Sequence, residues 1–156
     1  RGNFNTRIKK FFNGDFDAIV LAEAGLKRLG IKVNYFKIPE EILLPSPGQG
    51  ALAVQCLKKS NNLVNVLNLI NDKNAYTETN CERIFTKTLN GNCSSPISAL
   101  AKIKENEITL QGAVAKEDGS LVIRDSLSGH KEEAEIIGMN LGLKILEKVK
   151  MNGSFL

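Results

Sequence analysis

The chain has 156 residues, a net charge of +4 at pH 7 and a hydrophobic fraction of 42%, a composition typical of a globular protein rather than a disordered one. It contains no signal peptide and no apolar run near the ~20 residues of a membrane-spanning helix, so we expect no membrane partner. Its lysines and arginines are dispersed with little aromatic interleaving, which makes nucleic-acid binding the weaker interpretation of the positive charge. It begins without a methionine, so an upstream part with any targeting sequence would be invisible here.

The first third of the chain has the pattern of an α/β unit. Residues 5–12 predict a short helix that ends at Gly14. Residues 17–22 form an apolar run typical of a strand buried on both faces, and residues 23–29 predict a helix that ends at Gly30. A strand followed by a helix is the unit of a parallel sheet, which binds ligands beyond the carboxyl ends of its strands.

Two arginines, Arg1 and Arg7, flank the start of the first predicted helix. Free backbone N–H groups and the helix dipole favour an anion at such a position. Guanidinium groups pair bidentately with carboxylates and phosphates. The pattern therefore predicts an anion site, although a solvated helix start is the preferred interpretation of either arginine taken singly.

The middle of the chain is interrupted by a proline- and glycine-rich segment, residues 45–50, which predicts a crossover or hinge. Its Gly48-Gln49-Gly50 imitates a dinucleotide-binding fingerprint, but prolines precede it and a strand pattern follows at 51–57, so we reject nucleotide binding. Helices are predicted at 60–70 and 74–89. Within the second helix, Glu82 and Arg83 are interpreted as surface charges.

The last part of the chain has the pattern of an α+β domain. Strands are predicted at 97–103, 108–114 and 121–127, and a helix at 131–150. This order predicts a three-stranded antiparallel sheet covered by helices on one face.

Three cysteines, with no C-x-x-C pair and no histidine at ligand spacing, argue against a disulfide framework and a metal site and favour a reducing compartment. Cys56 lies on the inward face of the predicted strand 51–57, and Cys81 lies at helical spacing with apolar residues, so both are predicted in the core. Cys93 follows the helix stop Asn90-Gly91 in a loop of small residues. A reactive thiol and an incidental loop cysteine are about equally good interpretations of Cys93.

Several short motifs together resemble one known family. They are Arg1-Gly2-Asn3 with Thr6-Arg7, the run 17–22 followed by 24–30, Leu44-Pro45 with 47–51, Glu82-Arg83, and 89–93 with Pro96-Ile97. In order and spacing over the whole chain, they resemble the C-terminal half to two-thirds of the hydroxymethylbilane synthase (porphobilinogen deaminase) family.

The resemblance implies a transferase of porphyrin and heme biosynthesis. The family condenses four porphobilinogen units, with release of ammonia, into the linear tetrapyrrole hydroxymethylbilane. A dipyrromethane cofactor is held by a thioether to the loop cysteine, here Cys93. Matching positions imply that Arg1 and Arg7 bind the cofactor and that Arg28 and Gln49 bind porphobilinogen and the growing polypyrrole.

The resemblance also implies a domain plan. Residues 1–44 would be the later part of the second α/β domain of a periplasmic-binding-protein-like pair. Residues 45–71 would cross back to the first domain, and residues 72–156 would form the C-terminal α+β domain that attaches the cofactor. The family usually has a glycine where this chain has Asn92.

The family's catalytic aspartate belongs to an N-terminal domain that this chain lacks. No catalytic residue is therefore expected in this chain, which we predict to be inactive alone. We expect the missing N-terminal segment to be a partner of this chain, either as a separate chain or in another form. We expect a cytoplasmic protein, or a stromal one if a transit peptide preceded it. The alternative is a small-anion-binding α/β module without catalysis, for which an exposed Cys93 would have no use.

Overall fold

In the computed structural model, which describes residues 2–91 and 95–153, the chain divides into two units, Arg1–Pro39 and Glu40–Leu156. The first unit contains helices α1 (Phe4–Phe12) and α2 (Glu23–Arg28), close to the predicted ranges. Asn3 caps α1, since its Oδ1 accepts from the Thr6 N–H at 2.9 Å. The two helices are in close contact, because a Cβ on Gly25 would lie 2.4 Å from Cε2 of Phe4.

The second unit contains α3 (Asn61–Leu69), α4 (Lys73–Thr88), three strands and α5 (Ala134–Met151), which a 3-10 turn at Lys131–Glu133 precedes. The strands are β1 (Ile97–Lys104), β2 (Glu107–Ala115) and β3 (Val122–His130). They pair antiparallel in the order β1-β2-β3. The predicted three-stranded antiparallel sheet is confirmed.

The core of the second unit lies between one face of this sheet and helices α4 and α5. Its fully buried side chains include Phe85, Ile108, Leu110, Leu141 and Ile145. Gly112 of β2 leaves the space that the Phe85 ring fills, because a Cβ there would lie 2.4 Å from Phe85 Cζ. None of the helices in the described chain is long and apolar enough to cross a membrane.

Two of the predicted strands are absent. Residues 17–22 and 51–57 form no β-strand in the structure. An apolar run favours a strand, but a strand exists only when a neighbour supplies hydrogen bonds along its length. Neither segment pairs with another strand among the described residues, so the α/β part of the predicted fold stays a prediction.

Candidate functional site

The backbone that leads to Cys93 is fixed by the end of α4. Asn90 adopts a positive φ of 53°, and the N–H groups of Asn90 and Gly91 donate to the carbonyls of Lys87 and Thr86, each at 3.0 Å. This is a Schellman motif, and it confirms the predicted helix stop. A Cβ on Gly91 would lie 2.2 Å from Cδ1 of Ile97, so the two ends of the loop meet. Cys93 itself lies outside the described residues, as does Arg1.

The other two cysteines differ from each other. Cys81 is completely buried in the core, as predicted, and burial raises the pKa of its thiol to about 12. A thiol of that kind is unreactive, because the thiolate is the nucleophile. Cys56 is only half-buried, and its neighbours Leu52 and Val54 are 77% and 66% exposed. The prediction of a core strand around Cys56 is therefore wrong for this chain.

A positively charged cavity lies at the C-terminal end of α4. Its volume is about 480 Å³, and Pro47 and the last turns of α4 line it, with Arg83, Thr86, Lys87, Asn90 and Gly91. Arg83 and Lys87 are four residues apart and so project from the same face of α4. Neither has an ion-pair partner within residues 2–91 and 95–153. The cavity has the charge to hold an anion.

Gln49, a predicted substrate-binding residue, lies where two hydrogen-bonded turns overlap. The Gln49 N–H donates to the Ser46 carbonyl at 3.0 Å, and the Ala51 N–H donates to the Gly48 carbonyl at 3.2 Å. Gly48 and Gly50 have φ values of 72° and 88°, which are those of the third residue of type II turns. The predicted break in regular structure is confirmed, and the Gln49 side chain is exposed.

Glu82 is not the surface charge that its sequence context suggested. It is 5% exposed. Its Oε1 accepts from the Ala101 N–H at 2.8 Å and its Oε2 from the Gly48 N–H at 2.6 Å. Burial raises the pKa of Glu82, because desolvation disfavours the charged form, while the two N–H groups act in the opposite direction. The available signal was its position on the apolar stripe of α4, next to Cys81 and one turn before Phe85.

Arg7 lies in the first unit and lines a second cavity, of about 380 Å³, with Lys10, Phe16, Ala18, Ile19 and Val20. Its Nη2 donates to the Val20 carbonyl at 2.8 Å, and among the described residues the guanidinium has no ion-pair partner. The Asn3 side chain occupies the Thr6 N–H, so the start of α1 offers fewer free amides than predicted. The arginine and the lysine, more than the helix end, give this cavity its positive charge.

Arg28 ends α2 and is exposed. The preceding Lys27 is already paired with Glu23 at 2.8 Å, and Glu23 also accepts from the Tyr35 hydroxyl at 2.9 Å. The hydrogen bond from Lys27 is the main cause that lowers the pKa of Glu23 to about 2. In the part of the chain that is described, Arg28 has no ion-pair partner, so its charge is available to a ligand.

These positions divide between the units. Arg7 and Arg28 belong to the first, and Gln49 and the cavity on α4 belong to the second. Over the described ranges, no cluster of three His, Cys, Asp or Glu side chains could hold a metal ion. The chemistry that these side chains offer is the binding of anions by guanidinium and ammonium groups.

Comparison with known proteins shows which family has this sequence. Residues 1–65 match the family model described as porphobilinogen deaminase, dipyrromethane cofactor binding domain, and residues 76–147 match the model of the porphobilinogen deaminase C-terminal domain. The chain belongs to the porphobilinogen deaminase family. The family resemblance predicted from the sequence motifs is thus confirmed.

Individual relatives agree with this assignment. The chain is 42% identical over 153 residues to the porphobilinogen deaminase of Clostridium novyi, an alignment that covers 96% of the chain and 51% of the relative. It is 41% identical over 148 residues to that of Lawsonia intracellularis, covering 94% and 48%. It is 37% identical over 145 residues to a probable porphobilinogen deaminase of Hyperthermus butylicus, covering 93% and 48%. The chain spans about half the length of the curated relatives it matches.

Proposed function

We propose that this chain is the C-terminal part of a transferase that condenses four porphobilinogen units into hydroxymethylbilane, with release of ammonia. The observation that carries the proposal is that both family models match, in order, and together cover nearly the whole chain. The names of the relatives support the same activity. A small-anion-binding module without catalysis is the alternative, and the relatives do not favour it.

The cofactor in this proposal is dipyrromethane, which supplies the primer pyrrole for chain growth. Cys93 would hold it through a thioether, and Arg1 and Arg7 would bind its carboxylates. The described residues fit such a polyanion. The cavity that contains Arg7 and Lys10 and the cavity that contains Arg83 and Lys87 are both positively charged. The Schellman motif at Asn90 and Gly91 fixes the backbone just before the attachment point.

Arg28 and Gln49 are proposed to bind porphobilinogen and the growing polypyrrole. Both side chains are exposed. Arg28 would pair with an acetate or propionate group, since a guanidinium fork matches a carboxylate. Gln49 offers a carboxamide, which both donates and accepts, on a turn whose backbone is held by two hydrogen bonds.

The domain plan is part of the proposal. Residues 1–44 and 45–71 would complete α/β domains of a periplasmic-binding-protein-like pair, and residues 72–156 would form the cofactor-attachment domain. Several apolar side chains between residues 52 and 70 are at least 66% exposed, namely Leu52, Val54, Leu57, Leu69 and Ile70. This exposure supports the proposal that an N-terminal part of the full-length protein covers them. That part would carry the catalytic aspartate. The cytoplasm, or an organellar stroma, is the proposed compartment.

The proposal is tested by the intact mass of the full-length protein that contains this chain, measured after denaturation and thiol reduction. A thioether survives reduction, so we expect a mass increment of two pyrrole units, and peptide mapping should place it on Cys93. Cys93→Ser is expected to abolish the increment and the turnover of porphobilinogen together.

Cys56→Ser is the matched control, since Cys56 is half-buried whereas Cys81 is fully buried. It is expected to retain both the increment and the turnover. A full-length protein with no turnover of porphobilinogen and no adduct on any cysteine would refute the proposed function. An adduct on Cys56 or Cys81 would refute the assignment of Cys93.

A further inference from the structure

Glu82 is a buried carboxylate that the proposed reaction does not use. Burying a carboxylate is costly unless hydrogen bonds replace its hydration. Each Glu82 oxygen accepts one backbone N–H, from Gly48 at 2.6 Å and from Ala101 at 2.8 Å. One side chain of α4 thereby joins strand β1 to the turn that carries Gln49.

The turn has one further attachment to β1. The Ala99 N–H donates to the Pro45 carbonyl at 3.1 Å. The segment is thus held at Pro45 and at Gly48, and the second attachment point is directly next to Gln49. The Gly48 attachment depends on a single side chain, whereas the Pro45 attachment is between backbones.

We infer that Glu82 is a positioning residue for the substrate site, which pins the Gly48 turn so that Gln49 is presented in one fixed direction. This inference rests on the proposed function, in which Gln49 binds substrate. A carboxylate suits the task because both of its oxygens accept hydrogen bonds. An amide of the same shape has one acceptor and one donor, and its NH2 group would face an N–H.

Glu78 supplies an internal comparison. It lies one turn earlier on α4, and its Oε1 accepts from the Ile103 N–H at 2.7 Å. Glu78 therefore also accepts from an N–H of edge strand β1, but this hydrogen bond goes to the strand and not to the turn. A Gln at position 78 can keep that single bond through its carbonyl oxygen. Glu78→Gln is therefore a control for a glutamate of α4 that binds strand β1 but does not hold the Gly48 turn.

The test uses the full-length enzyme that contains this chain. Glu82→Gln is expected to raise the KM for porphobilinogen about five- to tenfold, the effect of losing roughly one hydrogen bond, with kcat and cofactor content within about twofold of wild type. Glu78→Gln is expected to leave all three unchanged. Wild-type values of KM and kcat for Glu82→Gln in an active enzyme would overturn the inference while leaving the proposed function intact.

A double-mutant cycle tests whether Glu82 acts through Gln49. If it does, the KM of the Glu82→Gln, Gln49→Ala double variant should equal that of Gln49→Ala alone, because the side chain being positioned is absent. Independent, additive effects would overturn the inference, and so would a Gln49→Ala variant with a wild-type KM. Absence of turnover in the wild-type full-length protein would instead overturn the proposed function.

Amide hydrogen exchange gives a readout that does not require activity, and its first comparison requires no variant. In the wild-type protein the Gly48 amide should exchange about as slowly as the Ala101 amide, since one carboxylate holds both. In Glu82→Gln the Gly48 amide should lose protection selectively, and in Glu78→Gln it should not. Rapid exchange at Gly48 in the wild-type protein would overturn the inference even if Glu82→Gln does not fold.

Discussion

Asp125 of β3 pairs with two lysines of α5. Lys148 and Lys144 of α5 approach it at 2.6 and 3.0 Å, and its side chain is 15% exposed. The hydrogen bond from Lys148 is the largest cause that lowers the pKa of Asp125 from 3.8 to about 2. This ion-pair cluster joins the sheet to the helix that covers it.

The lowered pKa of Asp125 predicts a pH dependence of stability. The folded-state pKa lies below the unfolded value, so the stabilisation is present above about pH 4 and is lost as the pH falls through about 2. Because both lysines are about half exposed, solvent screening leaves a contribution of about 1 kcal/mol. In chemical denaturation of the full-length protein at pH 7, Asp125→Asn should lower the free energy of unfolding by roughly that amount. In the variant, the free energy of unfolding should also decrease less as the pH falls from about 4 to about 2.

The matched control for Asp125→Asn is Glu147→Gln, which removes an exposed carboxylate from α5, the helix that carries Lys144 and Lys148. It should change the free energy of unfolding by less than about 0.5 kcal/mol. Equal effects of the two variants would show that net charge, and not the pairing of Asp125 with the two lysines, determines how much stability is lost at acidic pH.

Arg7 gives a second prediction at the scale of one residue. In the full-length enzyme, Arg7→Leu should lower cofactor content or the elongation rate, since one desolvated charge-assisted contact is worth about 2 kcal/mol. Arg7→Lys should restore part of the loss, because an ammonium cannot form the planar fork. The measurements are the adduct mass and the rate of porphobilinogen turnover.

Arg7 also donates to the Val20 carbonyl, so Arg7→Leu removes a contact within the protein as well as a contact with the cofactor. Thermal unfolding of the variant measures whether the fold is destabilised. Lys9→Leu is the control, because Lys9 lies on the same helix but does not line the cavity with Arg7. The assignment of Arg7 fails if Arg7→Leu keeps both cofactor content and rate at wild-type values.

At the scale of elements, the contact between α4 and α5 depends on two glycines of α5. A Cβ on Gly138 would lie 2.6 Å from the Cys81 carbonyl oxygen, and one on Gly142 would lie 2.7 Å from Thr88 Cβ. Real Cβ atoms do not approach other heavy atoms so closely. The pair lets α5 approach the backbone of α4, and this brings Leu141 and Ile145 into the core.

Gly138→Ala is therefore predicted to destabilise the protein by about 1–3 kcal/mol through overpacking, although alanine is the better helix former by about 1 kcal/mol. Chemical denaturation of the full-length protein measures the difference. Asn140→Ala, at an exposed position of the same helix, should be neutral or slightly stabilising. A stabilising Gly138→Ala would mean that helix propensity, not the close contact, dominates at this site.

At the scale of the whole molecule, the 156-residue chain alone is predicted to be inactive and prone to self-association. Our proposal assigns the catalytic aspartate to the N-terminal part of the enzyme. The same part would cover the exposed apolar residues of the segment 52–70, and uncovered apolar patches favour association. Turnover assays and light scattering of the purified chain measure the two properties.

Leu69→Gln, at an 85% exposed position of α3, should reduce the self-association, and Met151→Gln, at an 84% exposed position at the end of α5, should not. Sustained turnover of porphobilinogen by the chain alone would contradict the predicted inactivity. A monodisperse monomer of the unmodified chain would contradict the covering role proposed for the N-terminal part.

The sequence alone determined the features that depend on neighbours within a few residues. Helix α4 and its stop at Asn90 follow from helical spacing and from the tolerance of Asn and Gly for left-handed turns. The three strands of the sheet follow from period-two alternation and short turns. Cys81 was predicted in the core for the same reason, since helical spacing places it beside Phe85.

Tertiary structure decided whatever depends on partners far along the chain. The apolar patterns at 17–22 and 51–57 could not say whether a neighbouring strand was present, and pairing is what makes a strand. Glu82 lies in a polar stretch of α4, and its two hydrogen-bond donors lie 34 residues before it and 19 residues after it. Only when the chain folds do those N–H groups converge on one carboxylate and replace the water it loses. The local spacing could place Glu82 on the buried stripe of α4, but it could not show which donors make that burial possible.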